Sequence, residues 1–301
     1  MDEYNADVAD VSAKAYAPGH ITGFFEIHEE ACDPRQKGST GCGLVLNSGV
    51  TTEVRSGPSV EESEIYLNGN RVEGKTTQSV LEAMTKRPVR VESWAEIPVG
   101  CGFGASGAGA LGTGYALNRA LSLSFTADAL TECAHIAEVL NRSGLGDVAA
   151  QSAGGLVLRL RPGSPAFGKI DRIPVPEARV FCLALGEIST GSVLEDSAAA
   201  QTINRAGRNA MSKLLKKPTL ENFMLQAKKF AFETGFLSEK AEDVIEAVDA
   251  AGGLASQAML GDTVFALASP GEEFGLSKVL QEFGDVLEYG ISTCVPKLLD
   301  V

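Results

Sequence analysis

Three stretches of the chain carry glycines at spacings that could hold a phosphate. Gly69-Asn70-Arg71-Val72-Glu73-Gly74-Lys75-Thr76 matches the phosphate-loop pattern G-x-x-x-x-G-K-[ST]. Two features argue against it. Asn68-Gly69 is the strongest two-residue hairpin signal a sequence carries. Arg71, Val72 and Glu73 also put bulk, and one negative charge, where phosphate must approach the backbone. Gly102-Phe103-Gly104-Ala105-Ser106-Gly107 matches G-x-G-x-x-G, which in a dinucleotide fold follows a buried strand and precedes an acidic strand end by about 20 residues. Here Pro98 interrupts the approach, and Asp128 lies in a helical stretch. The wider frame from Glu96 to Ala110 is the stronger reading: a proline-led turn, glycines, then small residues opening a helix. Glycines let backbone amides approach phosphate oxygens, and the helix N-terminus adds its positive end. Pro98, Gly100, Gly102, Gly104, Ala105, Ser106 and Gly107 are therefore the expected nucleotide-binding residues.

A cradle of this kind serves phosphoryl transfer, where catalysis is mainly positioning and electrostatic stabilisation. Ser106, in the first helical turn, offers a hydroxyl to a phosphate or to Mg²⁺. Glu138, late in the next helix, adds a carboxylate if the two helices lie side by side, so Ser106 and Glu138 are the expected metal ligands. Two oxygens suffice, because Mg²⁺ keeps several waters. Asp147, in a glycine-flanked loop ahead of a strand, suits a base or an orienting group for the attacking hydroxyl. Arg159 alternates with apolar residues in Val157-Leu158-Arg159-Leu160 and is placed to meet a substrate carboxylate, with Arg161 on the same face. His20, Ser39 and Thr190 are further candidates for the substrate side.

The frame around Ser106 resembles the P-x-x-x-G-L/F-G-S/A-S-A/G motif of the GHMP kinases, which include homoserine, mevalonate and galactose kinases. Two further segments occur in the family's order. Ala17–Ile27 is similar to its first, substrate-side motif, and Gly252–Leu267 occupies the place of its third, glycine-rich one. Within the superfamily, Pro18–Ile27 and Met259-Leu260-Gly261 resemble the archaeal pantoate kinases; Thr40 stands where a basic residue is expected in them. The resemblance implies an α+β GHMP fold with a ribosomal-protein-S5-like N-terminal domain and a ferredoxin-like C-terminal domain. It also implies ATP and Mg²⁺ as cofactors, Asp147 as the catalytic aspartate working with Ser106 and Glu138, and pantoate as the small-molecule substrate. Phosphorylation of homoserine or mevalonate is one alternative, and a non-catalytic sensor on the same fold is another.

The elements that must position these residues can be read in outline. Ala13–Ala17 starts a strand that Pro18-Gly19 should cut. Gly43–Leu46 and Val50–Arg55 read as a hairpin about Asn47-Ser48-Gly49, and Ile65–Leu67 with Arg71-Val72 as another about Asn68-Gly69. Helices are expected at 78–86, 105–120 and 126–141, with strands at 89–94 and 156–160. Four prolines between Pro162 and Pro176 mark the expected boundary, giving domains 1–165 and 166–301. The second half predicts a strand at 180–185 and helices at 192–216, 220–233 and 239–251. It closes as strand, helix, strand at 263–267, 275–283 and 286–291, on an antiparallel sheet.

Composition sets outer limits. The 301 residues are 44% hydrophobic and 22% charged, ordinary for a globular protein with room for two domains. A net charge of −13 argues against a nucleic-acid partner, which needs a cationic stripe. Met1–Ser12 is acidic and polar, unlike a signal or transit peptide, and no apolar run reaches the length of a membrane span. Six scattered cysteines and three unclustered histidines predict neither a zinc site nor a disulfide framework, and suit a cytoplasmic protein. The oligomeric state is left open, a homodimer included.

Overall fold

Two long strands carry the first half of the molecule. In a computed structural model that describes residues 10–186, 197–259, 261–268, 271 and 273–300, β1 (Val11–His28) and β2 (Gly38–Ser56) pair antiparallel. The pairing runs from Val11 opposite Ser56 to His28 opposite Gly38. The expected break at Pro18-Gly19 and the expected hairpin at Asn47-Ser48-Gly49 do not form. The two interruptions face each other instead, Pro18 opposite Gly49, and are absorbed as a register shift between Pro18 and His20. Proline lacks the N–H a ladder needs, and a bulge is where a sheet tolerates it. A side chain at Gly49 would run into the Ala17 carbonyl, so the crossing needs glycine there.

The hairpin expected at Asn68-Gly69 does form, between β3 (Glu64–Leu67) and β4 (Asn70–Arg71). Both turn residues have positive φ, 49° and 78°, as a two-residue turn matched to strand twist requires. β5 (Arg90–Ala95) pairs with the second half of β2 and joins β3 in parallel; β6 (Leu156–Arg161) pairs with the first half of β2 and carries β7 (Lys169–Ile173).

Helices cover this sheet. α1 (Lys75–Met84), α2 (Ala105–Ala120) and α3 (Ala127–Asn141) pack together, and α2 lies directly on β1 and β2. Close approach explains the small residues of α2: a Cβ on Gly112 would stand 2.7 Å from Thr52 Oγ1. Thr126 caps α3 as expected, its hydroxyl accepting from the Ala129 N–H at 3.3 Å. The glycine-flanked loop expected around Asp147 contains a short helix, α4 (Asp147–Gln151).

The second half supplies α5 (Ser197–Lys216), α6 (Leu220–Thr234), α7 (Glu239–Ala250) and α8 (Glu273–Gln281). They accompany a four-stranded antiparallel sheet of β8 (Arg179–Gly186), β9 (Leu254–Gln257), β10 (Asp262–Leu267) and β11 (Leu287–Gly290), in the order β11-β8-β10-β9. β12 (Lys297–Leu299) then returns to the free edge of β1 in the first sheet. The larger sheet thus draws strands from both sides of residue 165. One continuous core joins the halves, with Phe24 of β1 6.2 Å from Phe223 and 6.4 Å from Phe230, ring centre to centre. No helix among the described residues is long and apolar enough to cross a membrane.

Candidate active site

The glycine-rich run leaves β5 and ends as the first turn of α2. Gly100, Gly102 and Gly104 have φ of 78°, 85° and 66°, a region only glycine enters cheaply. Gly104 is the N-cap of α2 and carries no capping side chain, so the helix presents its positive end at the loop. Three contacts from distant parts of the chain hold the loop. The His20 N–H donates to the Phe103 carbonyl at 2.9 Å, Thr263 Oγ1 to the Cys101 carbonyl at 2.8 Å, and Gln151 Nε2 to the Gly104 carbonyl at 2.8 Å.

A cavity of about 380 Å³ opens beside this loop, and Ser39, Thr76, Ser106, Glu138, Asp147 and Arg159 lie on its wall. α2 and α3 lie side by side, and Ser106 Oγ stands 2.6 Å from Glu138 Oε1. Ser143 Oγ is 2.7 Å from the same carboxylate oxygen, and Thr76 Oγ1 lies 2.8 Å from Ser143 Oγ and 3.2 Å from Ser106 Oγ. Burial pushes the Glu138 carboxyl up to about 7, against the pull of the Ser106 and Ser143 hydrogen bonds. Ser106 and Glu138 are hard oxygen donors on one wall, a set that fits Mg²⁺. Among the described residues no three His, Cys, Asp or Glu side chains cluster as a metal site.

Asp147 begins α4, its side chain 22% exposed and thus open to the cavity. Its Oδ1 is 2.7 Å from His20 Nδ1. Burial would raise the Asp147 carboxyl, but the hydrogen bond from His20 and the Arg159 charge bring it below the ordinary carboxylate range. Burial holds His20 on its neutral side, so its Nδ1–H donates to an ionised Asp147. His20 is fully buried and does not line the cavity; it reaches Asp147, which does.

Arg159 is 2% exposed, and none of its three guanidinium nitrogens has a protein hydrogen-bond partner. It faces the cavity with Ser39, and a Cβ on Gly146 would come within 2.5 Å of both Arg159 Nε and Ser39 Oγ. Arg161 does not share this face. A register shift between Arg159 and Arg161 turns it outward, to the Phe167 carbonyl. Thr40 alternates away from Ser39 and bonds His28 Nε2 at 3.2 Å, so the missing basic residue concerns the other face of β2. Thr190 lies outside the described residues.

Four polar residues of this neighbourhood were not singled out from sequence: Thr76, Ser143, Gln151 and Thr263. Thr76 is the last residue of the rejected phosphate-loop pattern. The hairpin at Asn68-Gly69 removes the loop, yet α1 begins at Lys75 and brings Thr76 to Ser106. Lys75 also reaches the cavity wall, but it is exposed and lies 3.6 Å from Glu73.

Residues 70–155 match the family described as the GHMP kinases N terminal domain. The α+β fold is that of the GHMP kinases. The pantoate kinase of Thermococcus kodakarensis is 35% identical over 291 residues, covering 93% of this chain and 94% of that protein. The pantoate kinase of Methanocaldococcus jannaschii is 34% identical, covering 84% and 92%. A solved structure described as a phosphotransferase related to the CoA biosynthesis pathway superposes with a TM-score of 0.86 at 32% identity, covering 95% of this chain and 98% of that one. The chain belongs to the pantoate kinase family of the GHMP kinases.

Proposed function

We propose that the protein transfers the γ-phosphoryl group of ATP to the primary hydroxyl of pantoate, giving 4-phosphopantoate for coenzyme A synthesis in the cytoplasm. The observation that carries this reading is the placement of both Asp147 and Arg159 on the wall that also holds Ser106 and Glu138. Arg159 brings three unpaired nitrogens to a buried position, which is costly unless an anion arrives to meet them. A small hydroxy acid supplies that anion and sets its hydroxyl near Asp147. Ser39 lies beside the guanidinium and adds a hydroxyl to the same end.

Asp147 takes the proton. His20 occupies Oδ1, which leaves Oδ2 to accept from the substrate hydroxyl as its oxygen bonds to the γ-phosphorus. The bond from that phosphorus to the bridging oxygen breaks and ADP leaves. The glycine loop and the N-terminus of α2 receive the phosphates through backbone N–H groups, while Ser106 and Glu138 hold the cation. Mg²⁺, when bound, neutralises charge on the phosphate oxygens. The residues up to 165 supply the nucleotide loop and Asp147; those from 166 onward brace the loop through Thr263.

The test is a coupled ADP-release assay across pantoate, pantothenate, homoserine and mevalonate. We expect turnover with pantoate well above the rest. Preference for homoserine or mevalonate would replace the substrate, and silence with all four would favour a sensor.

A further inference from the structure

Gln151 has no part in the chemistry above, yet it is fully buried one turn after Asp147 on the same face of α4. Its Nε2 donates to the Gly104 carbonyl at 2.8 Å, an oxygen that also accepts the Ala108 N–H at 3.0 Å, the first helical bond of α2. The contact is tight on both sides. A Cβ at Gly104 would lie 2.9 Å from Gln151 Nε2 and 3.2 Å from Asp147 Oδ1; one at Gly107 would lie 2.8 Å from Gln151 Oε1 and 3.4 Å from Asp147 Cβ. Gln151 Oε1 is buried without a partner. Burying an unpaired amide oxygen costs stability that an apolar side chain of the same shape would not. What the glutamine offers in return is its donor, aimed at the N-cap of the nucleotide helix.

We propose that Gln151 is a positioning residue that sets the distance and angle between the nucleotide loop and Asp147. One five-residue helix then carries both the group facing the hydroxyl and the group fixing the loop that faces the phosphate. Loss of the donor lets Gly104 and α4 shift relative to each other, which misaligns the two reactants without touching the Arg159 end of the cavity. This inference rests on the reading of the protein as an ATP-dependent kinase.

The experiment compares wild type with Gln151→Met, which keeps the volume and removes the donor, and Gln151→Glu, which sets a carboxylate against the Gly104 carbonyl. It measures kcat, the KM for each substrate, the melting temperature, and binding of a fluorescent ATP analogue. In Gln151→Met we expect kcat to fall on the order of 10- to 100-fold, the scale set by a misplacement of about 1 Å. The analogue should bind several-fold more weakly, with the pantoate KM within twofold, and Gln151→Glu should lose more. A folded Gln151→Met with wild-type kcat and analogue affinity overturns the proposal, as does a loss confined to the pantoate KM. If one variant does not fold, the other decides by the same comparison. If wild type is silent with pantoate while a folded variant loses the analogue, the substrate reading falls and the positioning role stands.

Discussion

Glu138 and Asp147 are two carboxylates near one cavity whose surroundings push them in opposite directions. Glu138 is held up to about 7 by burial, while hydrogen bonding to His20 keeps Asp147 low. Between its ordinary value of 4.5 and about 7, Glu138 is protonated in the folded chain and ionised in the unfolded one. The folded state then binds more protons, so the stability Glu138 contributes is full below that window and lost as pH rises through about 7. Thermal melts of the ligand-free protein should show this loss across the window, and Glu138→Gln should flatten it. In turnover, Glu138→Gln should recover part of its rate at raised Mg²⁺. Asp147→Asn should lose roughly 10²- to 10⁴-fold in kcat, the value of a positioned base, with no rescue by metal. Equal rescue of both would make them one shared metal site. Ser106, Glu138, Asp147 and Arg159 were legible in the sequence because each follows a local pattern: first helical turn, late helix, glycine-flanked loop, alternating strand. Ser143 and Gln151 follow none, and their roles exist only once α3 and α4 are folded against the loop.

At the scale of elements, helix ends were easier to read than strand ends. Thr126 marks α3 through a local bond, whereas β1 and β2 run through signals that would each stop a strand alone. Pro18 and Gly49 are tolerated because they meet across the ladder, a fact of register that neither segment carries by itself. β7, β9 and β12 were not anticipated; each has five residues or fewer, too short for an alternating pattern to stand out. The start of α1 separates two ideas that the phosphate-loop pattern ran together. Lys75 is exposed and paired with Glu73, so Lys75→Ala should leave kcat/KM within a few-fold of wild type. Steady-state kinetics on the folded variant check this, and a loss of several hundred-fold would give the lysine a phosphate role.

Across the whole molecule, the glycine-rich loop proposed to hold the nucleotide is gripped from both halves of the chain. Thr263 reaches the Cys101 carbonyl, and Gly261 lies so close to the Cys101 backbone that a Cβ there would overlap it. Gly261→Ala should therefore push the loop out of place, costing about 1–3 kcal/mol of stability as overpacking does. The KM for ATP should rise with the pantoate KM nearly unchanged. Kinetics and melting curves on one preparation test this, and an unchanged ATP KM would show that the loop yields without consequence. The overall class, α+β with an antiparallel second sheet, was readable from the order of elements. The passage of the chain back into the first sheet was not, because three residues at β12 carry no sign of a partner at β1.

That return has a consequence for how the protein is made. Tyr16 leaves the ribosome long before its neighbour Lys297. Until β12 emerges one edge of β1 therefore lies open, a row of unpaired amides and carbonyls able to template a foreign strand. A first half that could fold as it emerges must here wait for β12 to seal the sheet. The growing chain is most exposed to aggregation before β12 appears, and a holding chaperone would be of most use to it then.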